Sequence, residues 1–282
     1  MQRSSLINAY LLCSLFLLVF GLLPQKAHAE LTITPNVVLI QGRDRFAEVN
    51  LINTGDSATT YQIGWRFFKM TETGYQPVEA SLTPFDLSQN VVFTPRTVTL
   101  EPGVRQKVRL ALRLKSEPPA PGDYRAHLSF KMVSDPLASL KAKKNAPGEH
   151  KNIVGVGMKV GYSIPIIYRV GESNSVVTID KAAFQINPKN KKPEATVTFS
   201  RGEGAYGVVG HLYLYHKPAS GEEKLVGEIS NANIFSELKS RTLTIPLNVE
   251  TLSGGALHVV YMKTESKNQK DIIAERSFPI GQ

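Results

Sequence analysis

Cysteine is almost missing from this chain: among 282 residues only Cys13 is one, and it lies in an apolar N-terminal run. Beyond that run no disulfide can form, so the fold must be held by core burial, which a chain of this length can supply. Tryptophan is nearly missing too, with Trp65 alone. After residue 23 no apolar stretch is long enough for a membrane-spanning helix, so no stable membrane insertion is expected. The histidines past the start, His127, His150, His211, His216 and His258, form neither an H-x-x-x-H pair nor a Cys/His cluster, which excludes the common metal-site patterns. There is no G-x-S-x-G elbow and no Walker loop. Gly202-Glu203-Gly204 and the Gly155, Gly157, Gly161 series do not lead into a helical pattern, so they do not read as a phosphate cradle. The expectation is a protein that is not an enzyme, with no catalytic residue, metal or cofactor.

What is present begins with an export signal. Arg3 supplies a positive start, residues 7–23 are almost uncharged and apolar, and Ala27-His28-Ala29 is a small-x-small cleavage site. Residues 1–29 therefore read as a secretory signal peptide cut after Ala29. Tyr10-Leu11-Leu12 before Cys13 lacks the small residues of a lipobox. The expected address is a bacterial periplasm. The chain carries 33 basic and 24 acidic residues, a net charge of +9. Arg3 and Lys26 leave with the leader, so the mature chain is +7. Such a balance suits nucleic acid, anionic lipid or an acidic protein. The export signal argues against nucleic acid, and for most of these cations a solvated surface is explanation enough.

Alternation of period two recurs along the whole chain. Tyr61, Ile63, Trp65 and Phe67 share one face, as do Tyr124, Ala126, Leu128, Phe130 and Met132. Further strands are predicted over 196–199, 208–215, 243–247, 257–261 and 272–278. Turn signals separate them: Asn53-Thr54-Gly55, Pro102-Gly103, Pro121-Gly122, Asn187-Pro188 and Ser253-Gly254-Gly255. Short strands with a turn every 8–12 residues or so point to immunoglobulin-like sandwiches. The fold class is thus all-β, with two sandwiches: residues 30–169 and 170–282, divided at the polar segment Val170-Gly171-Glu172-Ser173-Asn174. Trp65, central in its strand, reads as core rather than as a binding residue.

Residues 94–110 read TPRTVTLEPGVRQKVRL. Pro102 presets φ and Gly103 accepts positive φ, which predicts a type II turn in a hairpin-like corner. Val104, Val108, Leu110 and Leu112 fall on the buried face, with Lys107, Arg109 and Arg113 opposite. The order P-x-x-x-x-L-x-P-G-x-x-Q-x-V-R-L resembles the corner in the first domain of periplasmic pilus (fimbrial) chaperones. Leu39-Ile40-Gln41-Gly42 and Asn50-Leu51-Ile52-Asn53 are similar to that family's first strands, and Ile166-Ile167-Tyr168-Arg169 to its hinge ending. The resemblance covers most of 31–169 and is looser beyond.

Residues 153–168 read IVGVGMKVGYSIPIIY. Val154, Val156, Met158, Val160, Tyr162 and Ile164 line one face; Gly155, Gly157, Lys159, Gly161 and Ser163 line the other. Part of this strand must belong to its own core. Its early portion, with Lys159 as its one charge, reads as an apolar edge open to strand addition. The resemblance implies a boomerang of two Ig-like domains. It implies that Val154, Val156, Met158 and Val160 form the donor strand that completes pilin or fimbrial subunits, which then pass to an outer-membrane usher. In the common branch two basic cleft residues hold the subunit's terminal carboxylate; Val37 and Pro165 stand at those positions here, so that mechanism does not carry over intact. The alpha (class 5) fimbrial branch is closer, which makes Arg169, assisted by Lys159, the candidate carboxylate anchor. An interdomain salt bridge is the equal alternative for Arg169. In the free protein the open edge also allows a self-capping dimer.

Two rival readings remain. One is a secreted Ig-like binding module or adhesin component, presenting exposed aromatics between Tyr206 and Tyr215. The other is a family member that has lost chaperoning and serves as a structural part of a surface assembly. The first does not account for the donor-like strand and the corner occurring in chaperone order; the second rests on the missing basic cleft pair at Val37 and Pro165.

Overall fold

The computed structural model describes residues 31–280 apart from 73, 115–116, 134–158, 174–175, 253 and 264–268. The signal-peptide reading of residues 1–29 lies outside the described residues, as do Val154, Val156 and Met158. The first half contains β1 (Leu31–Thr34), β2 (Val38–Gln41), β3 (Phe46–Asn53), β4 (Thr59–Thr71) and β5 (Gly74–Val78). A one-turn helix, α1 (Leu87–Asn90), follows, capped by the Asp86 side chain, which accepts from the Ser88 amide. Then come β6 (Val91–Thr94), β7 (Thr97–Leu100), β8 (Arg105–Leu112), β9 (Gly122–Met132) and β10 (Gly161–Val170). The second half holds β11 (Val177–Ile186), β12 (Pro193–Arg201), β13 (His211–Lys217), β14 (Lys224–Ile229), β15 (Ser240–Pro246), β16 (Ala256–Met262) and β17 (Ile272–Pro279).

Each half is a two-sheet, immunoglobulin-like sandwich, so the chain is all-β as its alternation requires. In the first, a sheet ordered β1-β3-β8-β6 faces one ordered β2-β10-β9-β4-β5, with β7 also paired to β4. In the second, β11-β12-β15 faces β14-β13-β16-β17. The alternating apolar residues meet between the sheets: Leu51, Val108, Leu110, Leu128, Phe130 and Ile166 in one core, Val197, Phe199, Leu214, Ile245, Val259 and Tyr261 in the other. Trp65 packs on the first core and meets the Phe93 ring edge-on at 5.4 Å.

The Pro102-Gly103 turn forms as expected: Gly103 has φ +74° and the Val104 amide donates to Glu101 O at 3.0 Å. It is not a hairpin, because β7 pairs with β4 and β8 pairs with β3, so the corner carries the chain from one sheet to the other. Val104 is correspondingly exposed at the corner, not on the buried face. Buried Asn53 ties this corner to the β3–β4 turn. Its Nδ2 donates to Ser57 O and Leu100 O at 2.8 and 2.7 Å, and its Oδ1 accepts from the Gly55 amide at 2.9 Å. Its backbone carbonyl accepts from the Gly103 amide at 2.8 Å.

The predicted strand over 208–215 begins only at His211. Residues 207–210 serve instead as a close-packed connection: Val208 bridges Ile234, and a Cβ on Gly207 would lie 2.9 Å from Ile234 O.

Asn53→Ala would leave the buried Leu100 carbonyl without its side-chain donor, and we expect a loss of about 1–3 kcal/mol in urea unfolding. An unchanged midpoint would mean the corner is held by backbone bonds alone.

Candidate functional site

β10 has two environments along its length. It runs antiparallel to β9 throughout, from Gly161 opposite Lys131 to Val170 opposite Gly122. Its other side pairs with β2 in parallel only from Ile166 to Arg169. Along Gly161–Pro165 that side has no strand neighbour among the described residues. Tyr162, Ile164, Ile166 and Tyr168 point into the first core, and Val160, two residues before Tyr162, is 36% exposed. Lys159 is exposed beside it. From Ile164 back to Gly161 the strand passes from buried to exposed residues, and among the described residues only β9 pairs with it there.

The hinge end is closed. Arg169 Nε and Nη2 donate to Oδ1 and Oδ2 of Asp123, both at 2.7 Å, and Nη2 also donates to Gly207 O at 3.0 Å. Asp123 Oδ2 in turn accepts from the Gly207 amide at 2.9 Å. The bidentate pair is largely buried within the first sandwich, between β9 and β10. It reaches the second sandwich through the hydrogen bonds of both residues to Gly207, and two of the three guanidinium nitrogens of Arg169 are occupied within the protein. Tyr206 donates to Val170 O at 2.8 Å, and its hydroxyl would sit 2.6 Å from a Cβ on Gly171, whose φ is +82°; only glycine fits there. Tyr124 donates to Ala120 O at 2.6 Å, so its phenol ties down the preceding loop.

Between the sandwiches lies a cleft of about 720 Å³, lined by Val37, Leu39, Arg169, Val208, Val209 and Lys263 among others. A smaller chamber of about 210 Å³ adjoins it and is lined by Val37, Ser163, Pro165, Tyr75, His127 and Asn233. No charged side chain lines the chamber. Val37 and Pro165 therefore do face the interdomain space, as neutral wall.

Sequence reasoning passed over the residues that build this interface. Met70, Ile167 and Phe235 form a small buried cluster joining the halves. Arg125 lies 3.8 Å over the Phe235 ring, and its Nη2 donates to Glu237 Oε1 at 2.5 Å and to Phe68 O at 2.8 Å. Glu237 Oε1 also accepts from the Met70 amide at 2.8 Å. On β9, Arg125, His127 and Ser129 alternate with core residues, which is the pattern of a solvent face. His127 is nonetheless only 3% exposed, between the edges of Phe68 and Tyr75. Neither of its ring nitrogens has a hydrogen-bond partner among the described residues. Burial, reinforced by the charge of Arg125, pulls its pKa down to about 3. The only sequence signal was the second apolar face of residues 164–168, since a strand buried on both sides loses its alternation.

Two expectations follow. Asp123→Asn should cost about 3–5 kcal/mol, because Arg169 is left buried without its counter-charge; a cost below 1 kcal/mol in a denaturant titration would dissolve the proposed hinge clamp. For His127 the folded pKa lies below the unfolded 6.5, so the unfolded state takes up the proton first and stability falls as pH drops from 6.5 towards 3. The loss between pH 7 and 5 should be about 2 kcal/mol, and His127→Phe should abolish that part of it. Equal pH dependence in the two proteins would rule the burial argument out.

No protein-family model matches the sequence, and no curated protein matches it. Among solved structures the chain is similar to one from the Salmonella enterica SafA pilin–SafB chaperone complex, at 9% identity and TM-score 0.43 over 91% of this chain and 99% of that one. It is similar to the E. coli chaperone DraB at 13% identity and TM-score 0.40, over 89% of this chain and 95% of that one. A third likeness is to the class 5 fimbriae chaperone CfaA, at 14% identity and TM-score 0.39, over 89% of this chain and 99% of that one.

Proposed function

We propose that this protein is a periplasmic chaperone that lends a strand to pilus or fimbrial subunits and delivers them to an outer-membrane usher. Residues 30–169 are the donor-bearing sandwich and 170–282 the second. The observation that carries the reading is that β10 is paired on both sides near the hinge but, among the described residues, on one side only along Gly161–Pro165. Val160 stands exposed just beyond, on the face that Tyr162 and Ile164 continue into the core. By the same alternation Met158, Val156 and Val154 follow on that face. A subunit missing one strand exposes a groove of this polarity. Filling it with four apolar side chains is worth about 1.5–3 kcal/mol for each. Main-chain hydrogen bonds would close both edges at once. No covalent step or cofactor is needed.

The adhesin reading loses its main support, because Tyr213 is buried in a cluster with Val260 and Met262 and Tyr206 is bonded across the hinge. With Arg169 joined to Asp123, a client's terminal carboxylate would have to be held elsewhere or share that guanidinium.

The test is affinity capture from periplasm, with mass spectrometry of the bound partner. Wild-type protein should retain a subunit with an incomplete sandwich. Met158→Asp or Val156→Asp should reduce recovery by at least about tenfold, the equivalent of 1.4 kcal/mol, without shifting the melting temperature of the free protein. Equal recovery with these variants would refute strand donation.

A further inference from the structure

The solvent face of the β1-β3-β8-β6 sheet has a composition that the capping role does not use. Register places Phe46, Ala111 and Val92 side by side across β3, β8 and β6. Phe46 is 77% exposed and Val92 42%, so this row presents an aromatic and an aliphatic side chain to water. The next rows inward are Glu48–Arg109–Thr94, then Asn50–Lys107 and Ile52–Arg105. Arg105, Lys107 and Arg109 are exposed, as is Arg113 just past the end of β8. Glu48 is the single carboxylate in these rows, and it is shared between Lys107 at 2.6 Å and Arg109 at 3.4 Å. Those two pairs lower the Glu48 pKa, so it stays ionised and still leaves the face positive.

We propose that this sheet face docks reversibly on an anionic phospholipid surface. The apolar row is short and flanked by Arg109 on one side and Arg113 on the other, which suits an interface where Phe46 and Val92 enter the headgroup layer. Arg105, Arg109 and Arg113 then reach lipid phosphates through their planar donor forks. A headgroup layer accommodates a lone phenyl and an isopropyl group without needing a complementary pocket, whereas an acidic protein partner would have to supply one. The attraction adds up over several cations and is confined to within a Debye length of the surface, so contact is peripheral and salt-sensitive. The inference does not depend on strand donation, since the face belongs to the sheet opposite the one that contains β10.

The experiment is sedimentation of the mature protein with vesicles of phosphatidylcholine alone or with about 30% anionic phosphatidylglycerol. Binding should require the anionic lipid and vanish in high salt. The triple variant Arg105→Gln/Arg109→Gln/Arg113→Gln should bind at least about tenfold more weakly, and Phe46→Ser should weaken binding with no change of charge. As a charge-matched control, Lys189→Gln/Lys191→Gln/Lys192→Gln removes three exposed cations from the β11–β12 connection and should leave binding unchanged. Circular dichroism establishes that each variant is folded. The proposal is overturned if wild-type protein ignores the anionic vesicles or if the two triple variants lose binding equally. It also fails if Phe46→Ser has no effect while polyglutamate competes fully, which would mark an acidic protein as the partner.

Discussion

The structure depends on how the second sandwich covers the back of β9 and β10. One face of these strands fills the first core, and the other would be left to water if the chain ended at residue 170. One ion pair across the interface, and a second within the first sandwich that is hydrogen-bonded to Gly207, fasten the cover. Arg169 is clamped by Asp123 and held to Gly207, and Arg125 is fixed between Phe235, Glu237 and the Phe68 carbonyl. Both are largely buried, so neither partner can leave without stranding a charge in a poorly solvated place. The apolar contribution from Met70, Ile167 and Phe235 is small by comparison with either core. Orientation between the halves is therefore governed mainly by hydrogen-bonded charge, which is directional, and less by hydrophobic contact, which is not.

That arrangement gives β10 its division of labour. Near the hinge it is locked by β2, β9 and the second sandwich together, and every residue from Ile164 to Tyr168 is buried. Towards its beginning it has β9 alone among the described residues, and exposure rises within four residues. A strand fixed at one end and accessible at the other is suited to being lent, because the fixed end sets the direction of the rest. The proposed activity follows from this asymmetry together with the apolar alternation that continues into residues 154–158.

Much of the fold could be read in advance because it rests on local stereochemistry. Pro102 and Gly103 favour one turn. Leu128 and Phe130 could only face inward, since a strand's faces alternate. Where such reading failed, a long-range contact had overruled it. The Pro102-Gly103 turn joins two sheets, since β7 finds β4 and β8 finds β3. Val208 is claimed by Ile234 before β13 can begin. Tyr213 sits on the outer side of its sheet yet is covered by Val260 and Met262.

The interdomain site shows the same limit most clearly. By parity His127 and Arg125 should face solvent, yet His127 is covered by Phe68 and Tyr75 of its own sandwich. The contacts of Arg125 with Phe235 and Glu237, and of Arg169 with Gly207, arise only when the second sandwich docks. The order of residues determined on its own the strands, their inward faces, the tight corner and the apolar run that ends at the hinge, because these depend on neighbours a few residues away. Which outward face became an interface, and which stretch of β10 stayed open, was decided by tertiary packing, because burial of a side chain depends on what arrives from elsewhere in the chain.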